Sequence, residues 1–247
     1  MILRAVVFDL GNTLVDWDVD WRSELPNLLR ATFQGHAELL TSANLSVDAL
    51  VKIAPRFISI EGGEPLKSLP FATRLANAME ALGVGIPEDD LSALSGDFTR
   101  RIASLGEIKT DSASTLTYLK AKGYRIGLVS NTAWETPWRP WRDCLEAIGL
   151  FPYFDAMAFS SQVGWRKPSP RIFSRAISEI ETPKEHSLFV GDLPEDDMGG
   201  ARQFGMKTAW IRSRRFPIWP NDAWSPDFVM DDIGDLKDVV GHVQGDS

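Results

Sequence analysis

The sequence predicts an α/β protein, a doubly wound parallel sheet interrupted near its start by a helical insertion. Three observations carry this. Val6-Val7-Phe8 is a short apolar run that ends in Asp9 and a Gly11-Asn12 turn signal, the pattern of a strand buried on both faces. Residues 16–106 carry apolar residues at helical spacing and little else. From Thr110 onward, helical stripes alternate with short apolar runs, which describes parallel strands joined by crossover helices.

In chain order, Gly11 and Asn12 force a sharp exit from the first strand. Four amphipathic stripes follow. They are Leu25, Leu28, Leu29 and Phe33; Val47, Leu50, Val51, Ala54 and Phe57/Ile58; Phe71, Leu75, Met79 and Leu82; and Leu91, Leu94, Phe98, Ile102 and Leu105. Gly62-Gly63 and Gly83-Val84-Gly85 punctuate them, giving a small helical bundle. A helix through Leu116 and Leu119 ends at Gly123 and leads into the strand 124–129. A helix over 141–148, closed by Gly149, precedes a strand at 156–160. Ser169-Pro170 caps a helix through Ile172, Phe173, Ala176 and Ile180. Strands at 187–190, 207–211 and 228–230, a helix ending at Gly205, and a last helix over 233–243 complete the series. The final Gly245-Asp246-Ser247 reads as frayed. The expected division is a core of residues 1–15 and 107–247 and a helical unit of residues 16–106.

Composition narrows the function classes. The 247 residues are 44% hydrophobic and 24% charged, with a net charge of −8 and a pI near 5.0, which argues against a nucleic-acid partner. Arg212, Arg214 and Arg215 read as solvated surface. The single cysteine, Cys144, allows no intramolecular disulfide and fits a reducing compartment, so the sequon Asn44-Leu45-Ser46 reads as accidental. No run approaches the roughly 20 apolar residues of a membrane span, and the N-terminus has no signal-peptide pattern. The expectation is a cytoplasmic protein with no membrane partner, monomeric or homodimeric.

The chemistry lies just past the strands. Ligands of open α/β sheets bind beyond the carboxyl ends of the strands. There the sequence places Asp9; Ser130-Asn131; Arg166-Lys167-Pro168; and Gly191-Asp192, with Asp196 and Asp197 following. Carboxylates hold a hard cation such as Mg²⁺ through oxygen, and lysine, serine and asparagine donate to phosphate oxygens. One carboxylate could then attack phosphorus. A strand-end Asp that merely caps the turn is the alternative for Asp9 taken alone.

In this arrangement the chain resembles the haloacid dehalogenase superfamily. Asp9-Leu10-Gly11-Asn12-Thr13, Ser130-Asn131, Lys167-Pro168 and Gly191-Asp192 through Asp197 match its four motifs in order, and the insertion sits where the family places a C1-type cap on its Rossmann-like core. The resemblance implies a Mg²⁺-dependent phosphohydrolase that acts on a small phosphate ester through an aspartyl-phosphate. Asp9 would be the nucleophile. Asp9, the Gly11 carbonyl and Asp192 would ligate the metal, with Asp196 and Asp197 supporting it directly or through water. Ser130 and Lys167 would hold the phosphoryl oxygens, Lys167 also offsetting the charge of Asp9. Leu10 and Gly11 amides would face the phosphate, and Thr13 and Asn131 would orient these groups.

One position departs from the family pattern. Its phosphatases usually carry a second Asp two residues after the nucleophile, as general acid and base; here Gly11 stands there, and loss of such an acid costs on the order of 10²–10⁴ in rate for a poor leaving group. The implied outcomes are a substrate with a good leaving group, a replacement acid, or a weak, phosphate-binding protein. A metal-independent 2-haloacid dehalogenase, which also lacks the second Asp, is a further alternative, against which Asp192 and Asp197 argue. Nine tryptophans leave two readings: Trp17, Trp21, Trp134, Trp138, Trp141 and Trp165 seal the cleft, or one stacks on substrate with Arg139 or Arg142 nearby. His36, His186 and His242 are too scattered for a metal cluster.

Overall fold

The computed structural model describes residues 2–42, 46–58, 66–220 and 224–245. The sequence features at Gly62-Gly63, Asn44-Leu45 and Asp246-Ser247 lie outside the described residues. β1 (Ala5–Phe8) runs into a tight turn and a two-residue strand, β2 (Val15–Asp16). Five helices follow: α1 (Trp21–Gly35), α2 (Ala37–Ser42), α3 (Val47–Ile58), α4 (Phe71–Glu80) and α5 (Glu88–Ala103). β3 (Glu107–Ile108) returns the chain, and α6 (Ser112–Ala121), β4 (Arg125–Ser130), α7 (Trp138–Ala147), β5 (Ala156–Phe159), α8 (Ser160–Val163) and α9 (Pro170–Ile180) come next. The chain ends with β6 (Ser187–Gly191), a π-helical turn over Pro194–Gly199, α10 (Gly200–Phe204), β7 (Lys207–Ile211), β8 (Phe228–Met230) and α11 (Leu236–Gly245).

Six strands form one all-parallel sheet in the order β5-β4-β1-β6-β7-β8. β1 is central because its four residues are apolar and buried on both faces. Alternation then divides the packing: Val6 and Phe8 join a core shared with α6 and α11, while Ala5 and Val7 meet Phe173, Ala176 and Phe189 on the other face. The reversal of strand order lies between β1 and β6, so the ends of β1, β4 and β6 flank one crevice.

Three local expectations change. Among its described residues the insertion holds five helices rather than four, because α2 buries Leu40 through a six-residue turn too short to show periodicity. Leu82 is 40% exposed; α4 ends at Glu80. α7 begins at Trp138, three residues before the apolar stripe, with Pro137 preceding its first turn. The sequence reading also missed β2 and β3, which pair antiparallel (Val15 with Ile108, Asp16 with Glu107) and carry the chain into and out of the helical insertion. Two residues per strand leave no alternation to detect. Among the described residues, no helix is long and apolar enough to cross a membrane.

Candidate active site

The turn after β1 is built by the backbone. Leu14 N and Val15 N donate to Leu10 O at 3.0 and 3.1 Å, and Asn12 N donates to Val15 O at 2.7 Å. Asn12 takes a left-handed φ of 56°, which asparagine tolerates better than most residues. Asp9 is thereby left at the strand end, 5% exposed, with its amide donating to Val190 O.

Lys167 reaches Asp9 from the loop between α8 and α9. Its Nζ lies 2.5 Å from Asp9 Oδ1 and 2.6 Å from Asp197 Oδ1, with the lysine 2% exposed. The backbone of Lys167 is fixed in turn by Asn131, whose Oδ1 accepts from Lys167 N at 2.8 Å and whose Nδ2 donates to Lys167 O and to Asp196 Oδ2 at 3.3 Å each. Asp197 is fully buried. Its Oδ2 accepts the amides of Asp192 and Leu193 at 3.1 and 2.9 Å, so it braces both Lys167 and the turn after β6. Gly191 is obligatory beside it, since a Cβ there would collide with the Asp197 carboxylate. The π-helical turn at 194–199, an irregularity frequent at functional sites, sets Asp196 and Asp197 one after the other facing this point.

Asp9, Asp192 and Asp197 each offer a carboxylate oxygen, and these oxygens all lie within 4.8 Å of one another. Burial pushes Asp9 up to about 6, with Lys167 pulling it down and Asp197 pushing it up. Burial, Asp197 and Asp9 together push Asp192 up to about 8 against the pull of Lys167 and the Ser213 hydroxyl. Burial also raises Asp196. Burial opposes the charge on Lys167, but Asp197 and Asp9 outweigh it and hold the ammonium above its usual range. Three buried carboxylates thus share one ammonium. The uncompensated negative charge and the all-oxygen donor set fit a hard divalent cation.

Most residues singled out in the sequence converge. Thr13 Oγ1 donates to Asp9 Oδ2 at 3.5 Å. Leu10, Gly11, Ser130 and Asn131 line a cavity of about 350 Å³ that opens beside Asp9. Trp17, Trp21, Trp134 and Trp141 line it as well while packing edge-to-face in two pairs, Trp17 on Trp141 and Trp21 on Trp134, at 5.8 and 5.2 Å. Trp138 and Trp165 carry Arg139 and Arg171 on their faces instead. Arg142 lies over Phe151, so neither Arg139 nor Arg142 charges the cavity. Arg212 and Arg214 pair with Asp231 and Asp18.

Sequence reasoning missed several partners. Asn12 Nδ2 approaches Asp192 Oδ2 at 3.5 Å, and Trp210 Nε1 donates to Asp192 O at 2.9 Å. It also missed Glu135, which is 2% exposed. Glu135 pairs with Arg166, accepts from Ser160 Oγ at 2.9 Å, and accepts from Ser68 of the helical insertion. Trp134 and Glu135 both take left-handed φ values, 50° and 53°. No motif announces a glutamate of this kind; only its place just past Ser130-Asn131 hints at it.

The fold agrees with comparisons to known proteins. A glyceraldehyde 3-phosphate phosphatase of Methanopyrus kandleri is 30% identical over 99% of this chain and 100% of its own length. One from Methanothermobacter thermautotrophicus is 32% identical, the alignment covering 53% of this chain and 57% of that relative. The solved 2-haloacid dehalogenase of Pseudomonas syringae superposes with a TM-score of 0.70 over 98% of this chain and all of its own, at 22% identity, a likeness of fold alone. The profile of the haloacid dehalogenase-like hydrolases matches residues 3–205, and the chain belongs to that family.

Proposed function

We propose that the protein is a Mg²⁺-dependent phosphohydrolase of small phosphomonoesters, with residues 16–106 acting as a cap over the core. The observation that carries this reading is the Lys167 ammonium clamped between Asp9 and Asp197 with Asp192 alongside. A single-charge clamp would suffice for an aspartate that attacks carbon. The surplus of buried carboxylate charge makes sense when a divalent cation and a phosphoryl dianion meet here. The similarity to proteins named glyceraldehyde 3-phosphate phosphatase and phosphoserine phosphatase supports the reaction class.

Asp9, the Gly11 carbonyl and Asp192 would hold Mg²⁺, which when bound supplies positive charge to the phosphoryl oxygens and screens Asp9 from the incoming dianion. One oxygen of Asp9 attacks phosphorus; the P–O bond to the leaving group breaks, and the departing oxygen keeps the electron pair. Lys167 and Ser130, with the Leu10 and Gly11 amides, hold the transferring oxygens. Water then attacks the aspartyl-phosphate, its P–O bond to Asp9 breaks, and inorganic phosphate leaves with Asp9 restored. Asn131 and Asp197 act through Lys167 by fixing its backbone and its ammonium, Thr13 orients Asp9, and Asp196 supports the metal side.

Phosphate release from p-nitrophenyl phosphate and acetyl phosphate tests this directly. It should require added Mg²⁺, stop with EDTA and fall to background in Asp9→Asn. Turnover of 2-chloropropionate in EDTA, with no phosphate release, would assign the site to dehalogenation instead.

A further inference from the structure

We infer that the substrate's leaving group is uncharged, apolar and a weak base, which points to an aryl phosphate. This rests on the phosphohydrolase reading and adds the substrate class to it. The cavity beside Asp9 is walled by Trp17, Trp21, Trp134, Trp141, Ile102 and Phe159, with polar groups contributed by Asn12, Ser130, Asn131 and Thr132 at the phosphate end. Not one ionisable side chain of the described residues lines it. A carboxylate or ammonium on the leaving group would meet indole and aliphatic surface with no counter-charge, which is costly. A flat ring would meet aromatic edges and faces. Volume permits it: a cavity of roughly 150 Å³ already holds benzene, and this one is about 350 Å³.

Among the described residues, the same lining lacks a proton donor of useful acidity. It contains no carboxyl, imidazole or thiol, and the indole N–H groups of Trp17 and Trp141 are committed to Ile102 O and Thr136 Oγ1 at 3.0 Å. The departing oxygen must therefore leave as an anion or take its proton from water, which favours a phenolate over an alkoxide. The absence is chemical rather than steric, because a Cβ at Gly11 would meet no atom within 4 Å. Charge and basicity thus constrain the leaving group independently.

Four probes separate the two constraints: phenyl phosphate, 4-carboxyphenyl phosphate, propyl phosphate and O-phosphoserine, assayed with the full chain and Mg²⁺. Phenyl phosphate should exceed 4-carboxyphenyl phosphate in kcat/KM by at least about tenfold, through the unpaired carboxylate. It should exceed propyl phosphate by about 10²-fold or more, through the missing acid. In Gly11→Asp the phenyl-to-propyl ratio should shrink by about tenfold or more while the phenyl-to-carboxyphenyl ratio holds. O-phosphoserine should be the poorest of the four. Comparable rates for the two aryl esters, or for phenyl and propyl phosphate, overturn the inference and leave the phosphohydrolase standing. So does failure of all four probes while acetyl phosphate still phosphorylates Asp9. Failure of acetyl phosphate as well removes the phosphohydrolase reading and this inference with it.

Discussion

At the scale of single residues, the site is held together by charges that oppose one another. In the metal-free protein the folded pKa values of Asp9 and Asp192, about 6 and about 8, exceed the roughly 3.9 of an unfolded Asp. The folded state therefore binds more protons across that window, and stability falls as pH rises from about 4 through about 8. Lys167 stays charged throughout. Melting in EDTA should drop steadily from pH 5 to pH 8.5, Asp192→Asn should flatten the decline and raise the Tm at pH 8.5, and added Mg²⁺ should stabilise the wild type most at the alkaline end. Lys167→Met should lose about 3–5 kcal/mol, as expected for stripping a buried ion pair of one partner. A Tm independent of pH would show that the carboxylates are not electrostatically strained. Asp9 and Asp192 were legible from the sequence because each lies directly past an apolar run, whereas Lys167 and Asp197, farther along their loops, were legible through the family resemblance. Asn12 and Trp210 were not, since an amide and an indole carry no sign of which carboxylate they approach.

At the scale of elements, the helical insertion is stitched to the loops that carry Asn131 and Lys167. Ser68 N donates to Gly164 O at 3.0 Å and Arg166 N to Leu66 O at 2.8 Å, so the approach to α4 runs beside the loop ending in Lys167. Arg74 of α4 donates to Trp134 O, and Trp134 itself packs on Trp21 and Phe98 of the insertion. Glu135 sits at the centre of these contacts with Ser68, Ser160 and Arg166. Two successive left-handed residues other than glycine cost on the order of 1–3 kcal/mol each, a cost these contacts offset. Glu135→Gln should therefore lower the melting temperature and also lower kcat by loosening the Lys167 loop, whereas Arg142→Gln, altering a half-exposed partner of Glu146, should change neither. Equal stability of Glu135→Gln and wild type would refute this role of Glu135. Helices of ten residues or more were readable from their stripes. Two-residue strands, the six-residue α2 and the strained turn after β4 were not, because their conformations are dictated by distant partners rather than by local pattern.

At the scale of the whole molecule, the chain joins a rigid parallel sheet, which fixes the reacting groups, to a helical unit whose aromatic rings shape the chamber beside them. An aromatic series runs from Trp21 and Trp134 through Phe98, Phe71 and Phe57 to Phe33, so the wall of the cavity is continuous with the core of the insertion. The doubly wound class was predictable because alternating strands and helices admit few topologies, while the chamber depends on which tryptophans meet across more than a hundred residues of chain. The central claim is that Asp9 is the nucleophile toward phosphorus, and its most direct test is to quench the Mg²⁺-loaded protein in acid during turnover of phenyl phosphate or acetyl phosphate and map the modified peptide by mass spectrometry. The account predicts an acid-stable, hydroxylamine-sensitive phosphate on Asp9 that disappears when substrate is exhausted and never forms in Asp9→Asn. Phosphate release at full rate with Asp9 unmodified, or retained in Asp9→Asn, would contradict it.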